Sequence, residues 1–204
     1  MPGGDPAHQK GWTVINSPLP LPGPPVAVGM IVPAPDALPP PAEYLRPTLD
    51  SALTEPLLTG PNVGEAVLAL TDTQGMAFRA RAGTGYELVI DTSPDHGGTA
   101  SGFEPLELLA VALGGCTALD VIAILRKKRQ AVTGYRLRVA TRQATEHPKV
   151  YTHFVVLHIV QGRALDPRAV ARAVELSALK YCPVSSMLAH AAQVVHQFRI
   201  IPEA

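Results

Sequence analysis

Two cysteines are the only thiols in 204 residues, and they are the side chains best suited to chemistry. Cys116 lies in Leu113-Gly114-Gly115-Cys116-Thr117 and Cys182 in Lys180-Tyr181-Cys182-Pro183-Val184. A thiolate is a nucleophile that climbs an oxidation ladder, and a second thiol nearby can close it as a disulfide before over-oxidation. Cys116 sits inside a strongly apolar helical stretch that would shield it from water. Cys182 precedes a proline that reads as the first residue of a helix, so its sulfur should lie near unpaired amide N–H groups and the positive pole of the helix dipole. Free cysteine is also among the most buried residue types, so an inert core role stands beside the reactive one. An ordinary thiol, with a pKa of about 8.5, is mostly protonated at neutral pH, so a reactive one needs a positive group close by.

The elements that must position these thiols begin after a long proline-rich segment. Fifteen of the 21 prolines fall in residues 1–61, densest at Pro18-Leu19-Pro20-Leu21-Pro22-Gly23-Pro24-Pro25 and Pro39-Pro40-Pro41. Such a segment builds neither helices nor central strands. Residues 1–62 are therefore expected to be an irregular extension, draped over the body more readily than serving as a docking peptide, and residues 63–204 a single domain.

Within that domain, Val67–Leu70, Met76–Ala82 and Tyr86–Asp91 alternate as a three-stranded antiparallel meander. Gly83-Thr84-Gly85 is a hairpin turn, because no strand-to-helix transition follows it. Asp95–Gly102 reads as a flexible loop, and Pro105 opens a helix over 106–128. Leucines, valines and isoleucines cover nearly the whole circumference of that helix, which predicts burial on all sides. Three strands cannot easily supply that much cover; a second subunit can. A hairpin of Tyr135–Gln143 and Val150–Val160 follows, the first strand alternating Tyr135, Leu137 and Val139 with Arg136, Arg138 and Arg142. Asp166-Pro167 starts a helix with Val170, Val174, Ser177 and Tyr181 along one side. Pro183 begins another helix, and Val194–Ile201 is a closing strand. The order implies an α+β domain.

Composition excludes several function classes. Seventeen basic residues balance 17 acidic ones, so no electrostatic case exists for nucleic acid, and Arg126-Lys127-Lys128-Arg129 is a solvated helix end complementing the dipole. The longest uncharged apolar run, Leu108–Leu119, falls short of the roughly 20 residues of a membrane span. Prolines interrupt the stretch where a signal peptide would need its apolar helix. The expectation is a cytoplasmic protein without membrane or nucleic-acid partners, where two cysteines suit redox or inert roles more than a structural staple.

Three ordered motifs carry a family resemblance. Pro105–Val121 with Ile124–Arg129, His147-Pro148-Lys149-Val150-Tyr151-Thr152-His153, and Val170–Ser177 running into Lys180–Val184 together resemble the OsmC/Ohr family, nearest its YhfA-like branch, over about residues 66–201. The resemblance implies an OsmC-like fold with antiparallel sheets around a long buried central helix, and an intertwined homodimer with active sites at the subunit interface. It also implies a thiol peroxidase acting on organic hydroperoxides. Cys116 would attack, Cys182 would resolve, and a dithiol reductant such as a lipoyl group would regenerate the pair. No cofactor and no metal are implied.

One departure touches the activating groups. In well-studied peroxidase branches an early-strand arginine and a glutamate near the start of the cysteine helix hold the thiolate. Here Thr71-Asp72-Thr73-Gln74-Gly75 lacks the arginine, and the carboxylate is Glu107, nine residues before Cys116, with leucine at position 106, the usual place. One residue turns a helical side chain by about 100°. Glu107 is the candidate third catalytic residue, and Arg79 or Arg81 is the candidate replacement cation. The alternative function is a non-catalytic ligand-binding or redox-sensing domain of the same fold. His153 and His158 stand on opposite strand faces and make poor partners for one metal; adding His147, His190 or His196 to a cysteine has no support in spacing.

Overall fold

Short alternating segments after residue 65 build a small antiparallel sheet in a computed structural model of the protein, which describes residues 57–203 and the backbone of a strand, β1, at Thr13–Asn16. Its strands are β2 (Ala66–Leu70), β3 (Phe78–Ala82) and β4 (Glu87–Ile90), in that order. Leu68 opposes Ala80, which opposes Leu88; Leu70 opposes Phe78, which opposes Ile90. The register therefore gathers the apolar side chains on one face, where Leu68, Leu70, Phe78 and Leu88 are exposed. Four residues of the amino-terminal extension, expected to be irregular throughout, form β1; residues 57–62 are bends and turns, and the rest of that expectation lies outside the described residues.

The loop after β4 is not the flexible connection that its glycines suggest. The buried Asp91 carboxylate accepts hydrogen bonds from the amide N–H groups of Thr92, Thr99 and Ser101 and from the Thr99 and Ser101 hydroxyls. These donors, the Ser101 amide first and the Thr99 hydroxyl next, hold its pKa well below the usual carboxylate range. A Cβ at Gly98 would lie 2.0 Å from the Thr92 carbonyl oxygen, so only glycine fits this fold of the chain. The Asp91 hub lies immediately before the cysteine helix in the chain.

That helix, α1 (Pro105–Lys127), starts with Pro105 in its first turn and a reciprocal capping box between Glu104 and Glu107. Leu113, Thr117, Val121 and Leu125 recur every four residues and, with Gly114, form its buried stripe. All-round burial is not realised within one chain: Val111 is 54% and Leu119 76% exposed. By length and composition alone the helix would suffice to cross a bilayer, which the shorter uncharged run did not suggest. Here its buried stripe packs on protein.

The larger sheet has the order β1-β7-β6-β5, built from β5 (Ala131–Gln143), β6 (Tyr151–Arg163) and β7 (Gln193–Pro202). β5 begins at Ala131, earlier than Gly134 suggests, because Gly134 lies at a bulge and does not open the strand. β5 and β6 form the expected hairpin, but β7 runs parallel to β6, so the sheet is mixed and not wholly antiparallel. The helices between β6 and β7 supply the crossover that a parallel return needs. They are α2 (Pro167–Leu176), a π-helical turn over Ser177–Tyr181, and α3 (Pro183–Leu188). Asp166 caps α2 by accepting from the Arg168 N–H at 2.9 Å. Val170, Val174 and Ser177 share its buried side, but the wider π turn carries Tyr181 off that line, 49% exposed.

Two apolar clusters fill the space between sheet and helices. One joins Val121, Leu125, Val160, Val170, Val174 and Phe198; the other joins Leu113, Phe154, Val156, Cys182 and Val194, with Cys116 packed against it. The inward side chains of β6 and β7 pass from one cluster to the other through His158 and His196.

Candidate active site at two thiols and a carboxylate

Cys116 comes from the middle of α1 and Cys182 from the N-cap of α3, and the fold brings them together. The two Sγ atoms and a carboxylate oxygen of Asp120 all lie within 4.8 Å of one another. Both cysteines are free thiols, Cys116 half-buried and Cys182 buried. Cys116 and Asp120 are four residues apart on one helix, the spacing that puts two side chains on the same face.

Two members of the group, Asp120 and Cys182, are held by neighbours. The Ser177 hydroxyl donates to Asp120 Oδ2 at 3.0 Å and shares a 2.9 Å hydrogen bond with the Thr117 hydroxyl, both hydroxyls being buried. The Ser185 N–H donates to Cys182 Sγ at 3.3 Å, the N-cap contact that the following proline foreshadowed. That amide and the Val184 N–H favour the thiolate, yet burial outweighs them and, with the Cys116 sulfur alongside, pushes the Cys182 thiol up to about 12. The helix terminus therefore does not activate Cys182 as its sequence position suggested; the thiol stays protonated at neutral pH. The three donors include no imidazole and fall short of the closed four-ligand set of structural zinc. They form a dithiol beside a carboxylate.

Glu107 stands apart from this group within the chain. Its carboxylate accepts the Glu104 N–H at 3.0 Å in the capping box, and nine helical residues put it about 13 Å along the axis from Cys116. Arg79 pairs with Glu87 at 3.0 Å on the exposed face of the small sheet, so the carboxylate that steadies it is Glu87 and not Glu107. Arg81 is exposed, opposite Glu87 in the strand register.

Behind Cys182 runs a hydrogen-bonded chain that residue spacing did not reveal. The Tyr135 hydroxyl meets His158 Nδ1 at 2.6 Å, His158 Nε2 meets His196 Nδ1 at 3.2 Å, and His196 Nε2 meets the Ser185 hydroxyl at 3.2 Å. The two rings stack with centroids 5.5 Å apart. Burial lowers the His158 pKa to about 3, with the His196 charge adding to the effect, and lowers His196 to about 4; burial also raises Tyr135. Both imidazoles are thus neutral, and each can donate through one nitrogen while accepting through the other. His153, on the opposite face of β6, takes no part and bonds the Thr152 hydroxyl at 2.9 Å.

The α+β fold that carries this pair of cysteines is found in known proteins. Residues 98–197 match the OsmC-like protein family. Over 128 residues the chain is 37% identical to Protein YhfA of Escherichia coli strain K12, covering 63% of this chain and 92% of that one. The chain belongs to the OsmC-like family. A crystal structure of a hypothetical protein from Aquifex aeolicus VF5 is 27% identical, with a TM-score of 0.60, over 70% of this chain and 98% of that chain. An organic hydroperoxide resistance protein from Elizabethkingia anophelis, crystallised with thiocyanate bound, shares the fold at 11% identity and a TM-score of 0.51, over 72% of this chain and all of that one (100%). This last likeness is one of fold.

Proposed function

We propose that the protein is a cytoplasmic thiol peroxidase that reduces organic hydroperoxides, Cys116 attacking and Cys182 resolving. The observation that carries this reading is the pair of sulfurs within 4.8 Å, one half-buried and one buried. A substrate can approach Cys116, while Cys182 stays protected and close enough to form a disulfide after small movement. In the first step the Cys116 thiolate attacks the distal oxygen of ROOH and the O–O bond breaks. The sulfur is oxidised to sulfenic acid, and the alkoxide leaves with a proton as ROH. Cys182 then displaces the sulfenic hydroxyl as water, and a dithiol such as a lipoyl group reduces the disulfide. Consumption of cumene hydroperoxide by the full chain in the presence of such a dithiol tests the reading; no consumption with several dithiols would overturn it.

Homodimerisation belongs to the same proposal. One face of the small sheet (Leu68, Leu70, Phe78, Leu88) and the outer face of α1 (Leu109, Val111, Leu119) are exposed apolar surface in the single chain, and a second copy of residues 63–204 would cover both. The shallow cavity between α1 and β5, about 410 Å³ and lined by Val111, Gly114, Ala118, Leu137 and Val139, opens on that surface. Glu107, kept from Cys116 by its own helix, takes a catalytic part only if the partner delivers it. Sedimentation at micromolar concentration is expected to show a dimer, and Leu119→Glu to lower its stability by at least tenfold in dissociation constant; a stable wild-type monomer would contradict this.

The rival reading is a redox sensor without turnover. It draws on one observation, the engagement of Arg79 by Glu87 and of Glu107 by its own capping box. A sensor would oxidise once per chain and then stop in the presence of a dithiol.

A further inference from the structure

The resolving step poses a chemical problem that the site's third member answers. Cys182 must lose its proton as its sulfur attacks Cys116–SOH, and the departing hydroxyl must gain one. The Cys182 thiol is buried and held protonated, so attack as a free thiolate draws on a very small population. Hydroxide is also a poor leaving group in an apolar site. One group able to carry a proton between these two positions is required, within reach of both sulfurs.

We propose that Asp120 is that proton carrier, a catalytic residue of the resolving step. The inference rests on the hydroperoxide-reductase reading above. Its carboxylate oxygen lies within 4.8 Å of both Sγ atoms, and Ser177 fixes its orientation through Oδ2. The Thr117–Ser177 contact ties this arrangement to the residue following Cys116. In the step, the Cys182 S–H bond breaks as the S–S bond forms, the proton passes to the Asp120 carboxylate, and from there it goes to the hydroxyl leaving Cys116. The S–O bond electrons leave with that hydroxyl, which departs as water. Cys182 is oxidised, the sulfenic sulfur is reduced to the disulfide level, and Asp120 ends as it began. No further oxidant or reductant enters.

The carboxylate takes no part in the first step, the attack of the Cys116 thiolate on the peroxide. Removing it therefore slows the second step alone, a signature that structural damage does not produce. Asp120→Asn is close to isosteric, and its amide oxygen still accepts the Ser177 hydroxyl, so the local framework is retained.

The test uses the reduced full chain with one equivalent of cumene hydroperoxide. Peroxide loss is followed by rapid mixing, the disulfide by mass spectrometry after acid quench, and sulfenic acid by dimedone trapping. In D120N, peroxide loss is expected at the wild-type rate. Disulfide closure should be slower by about a hundredfold or more, the usual range for loss of a positioned acid–base group, with Cys116 sulfenic acid trapped in the interval. Asp120→Glu should recover part of the closure rate. Closure in D120N at the wild-type rate, or equal slowing of both steps, would overturn the role of Asp120 while leaving the peroxidase reading intact. A wild type that does not consume the hydroperoxide would overturn both.

Discussion

Replacing Cys116 by serine is expected to abolish hydroperoxide consumption, a loss of at least a thousandfold against the wild type with a dithiol present. A hydroxyl of the same shape has neither the acidity nor the nucleophilicity of a thiol at neutral pH. The buried neighbour cannot substitute: Cys182 is closed to solvent, and its environment keeps it protonated. Cys182→Ser should behave differently. One equivalent of peroxide disappears, Cys116 stops as sulfenic acid, and excess peroxide carries it to sulfinic acid because no second thiol captures it. A stopped assay with thiol counting separates the two variants. Multiple turnover by Cys116→Ser would place the chemistry elsewhere in the molecule.

Acid should destabilise the protein through its buried histidines. In the unfolded chain a histidine takes up a proton near pH 6.5, whereas in the fold His196 does so only near 4 and His158 near 3. Between these values the unfolded state binds more protons than the native one, so stability falls as pH is lowered through this window. It is fully present above about pH 6.5. For His196 alone the span corresponds to on the order of 3 kcal/mol, a large share of the 5–15 kcal/mol typical of a domain. Denaturant melts at intervals from pH 7 to 4.5 should show the midpoint falling steadily. His196→Gln should flatten the slope, since glutamine can donate and accept in the chain without becoming charged. A midpoint unchanged across that range in the wild type would show that the pair is not held neutral. Loss attributable to Asp91, whose pKa the fold depresses, comes only at lower pH, as the carboxylate is protonated.

Much of this arrangement was legible in residue pattern. Proline before a helix, in Glu104-Pro105, Asp166-Pro167 and Cys182-Pro183, marked three helix starts that the structure retains. The alternation of Tyr135, Leu137 and Val139 with arginines marked the inner face of β5. What escaped depends on tertiary contact. The parallel pairing of β7 with β6 is set by how two short helices and a π turn fold back, which local periodicity does not record. His158 and His196 are 38 residues apart, and only that pairing places their rings in one stack. Asp91 gathers donors from eight and ten residues downstream, so a run rich in glycine, serine and threonine resembled free loop when it was a carboxylate's binding shell. Asp120 was the accessible omission: Cys116 and Asp120 stand four apart on a helix, and that spacing alone puts them on one face. The uniform apolar cover of α1 predicts burial on all sides, but within one chain only the stripe from Leu113 to Leu125 is buried.

The central claim is that Cys116 and Cys182 form a working redox pair. The most direct measurement treats the reduced protein with one equivalent of cumene hydroperoxide, digests it under acid quench, and identifies the products by mass spectrometry. The account predicts that both free thiols disappear together and that the peptides bearing Cys116 and Cys182 are recovered joined by a disulfide, which a dithiol then reverses. Recovery of both cysteines as free thiols after exposure to excess hydroperoxide would contradict it.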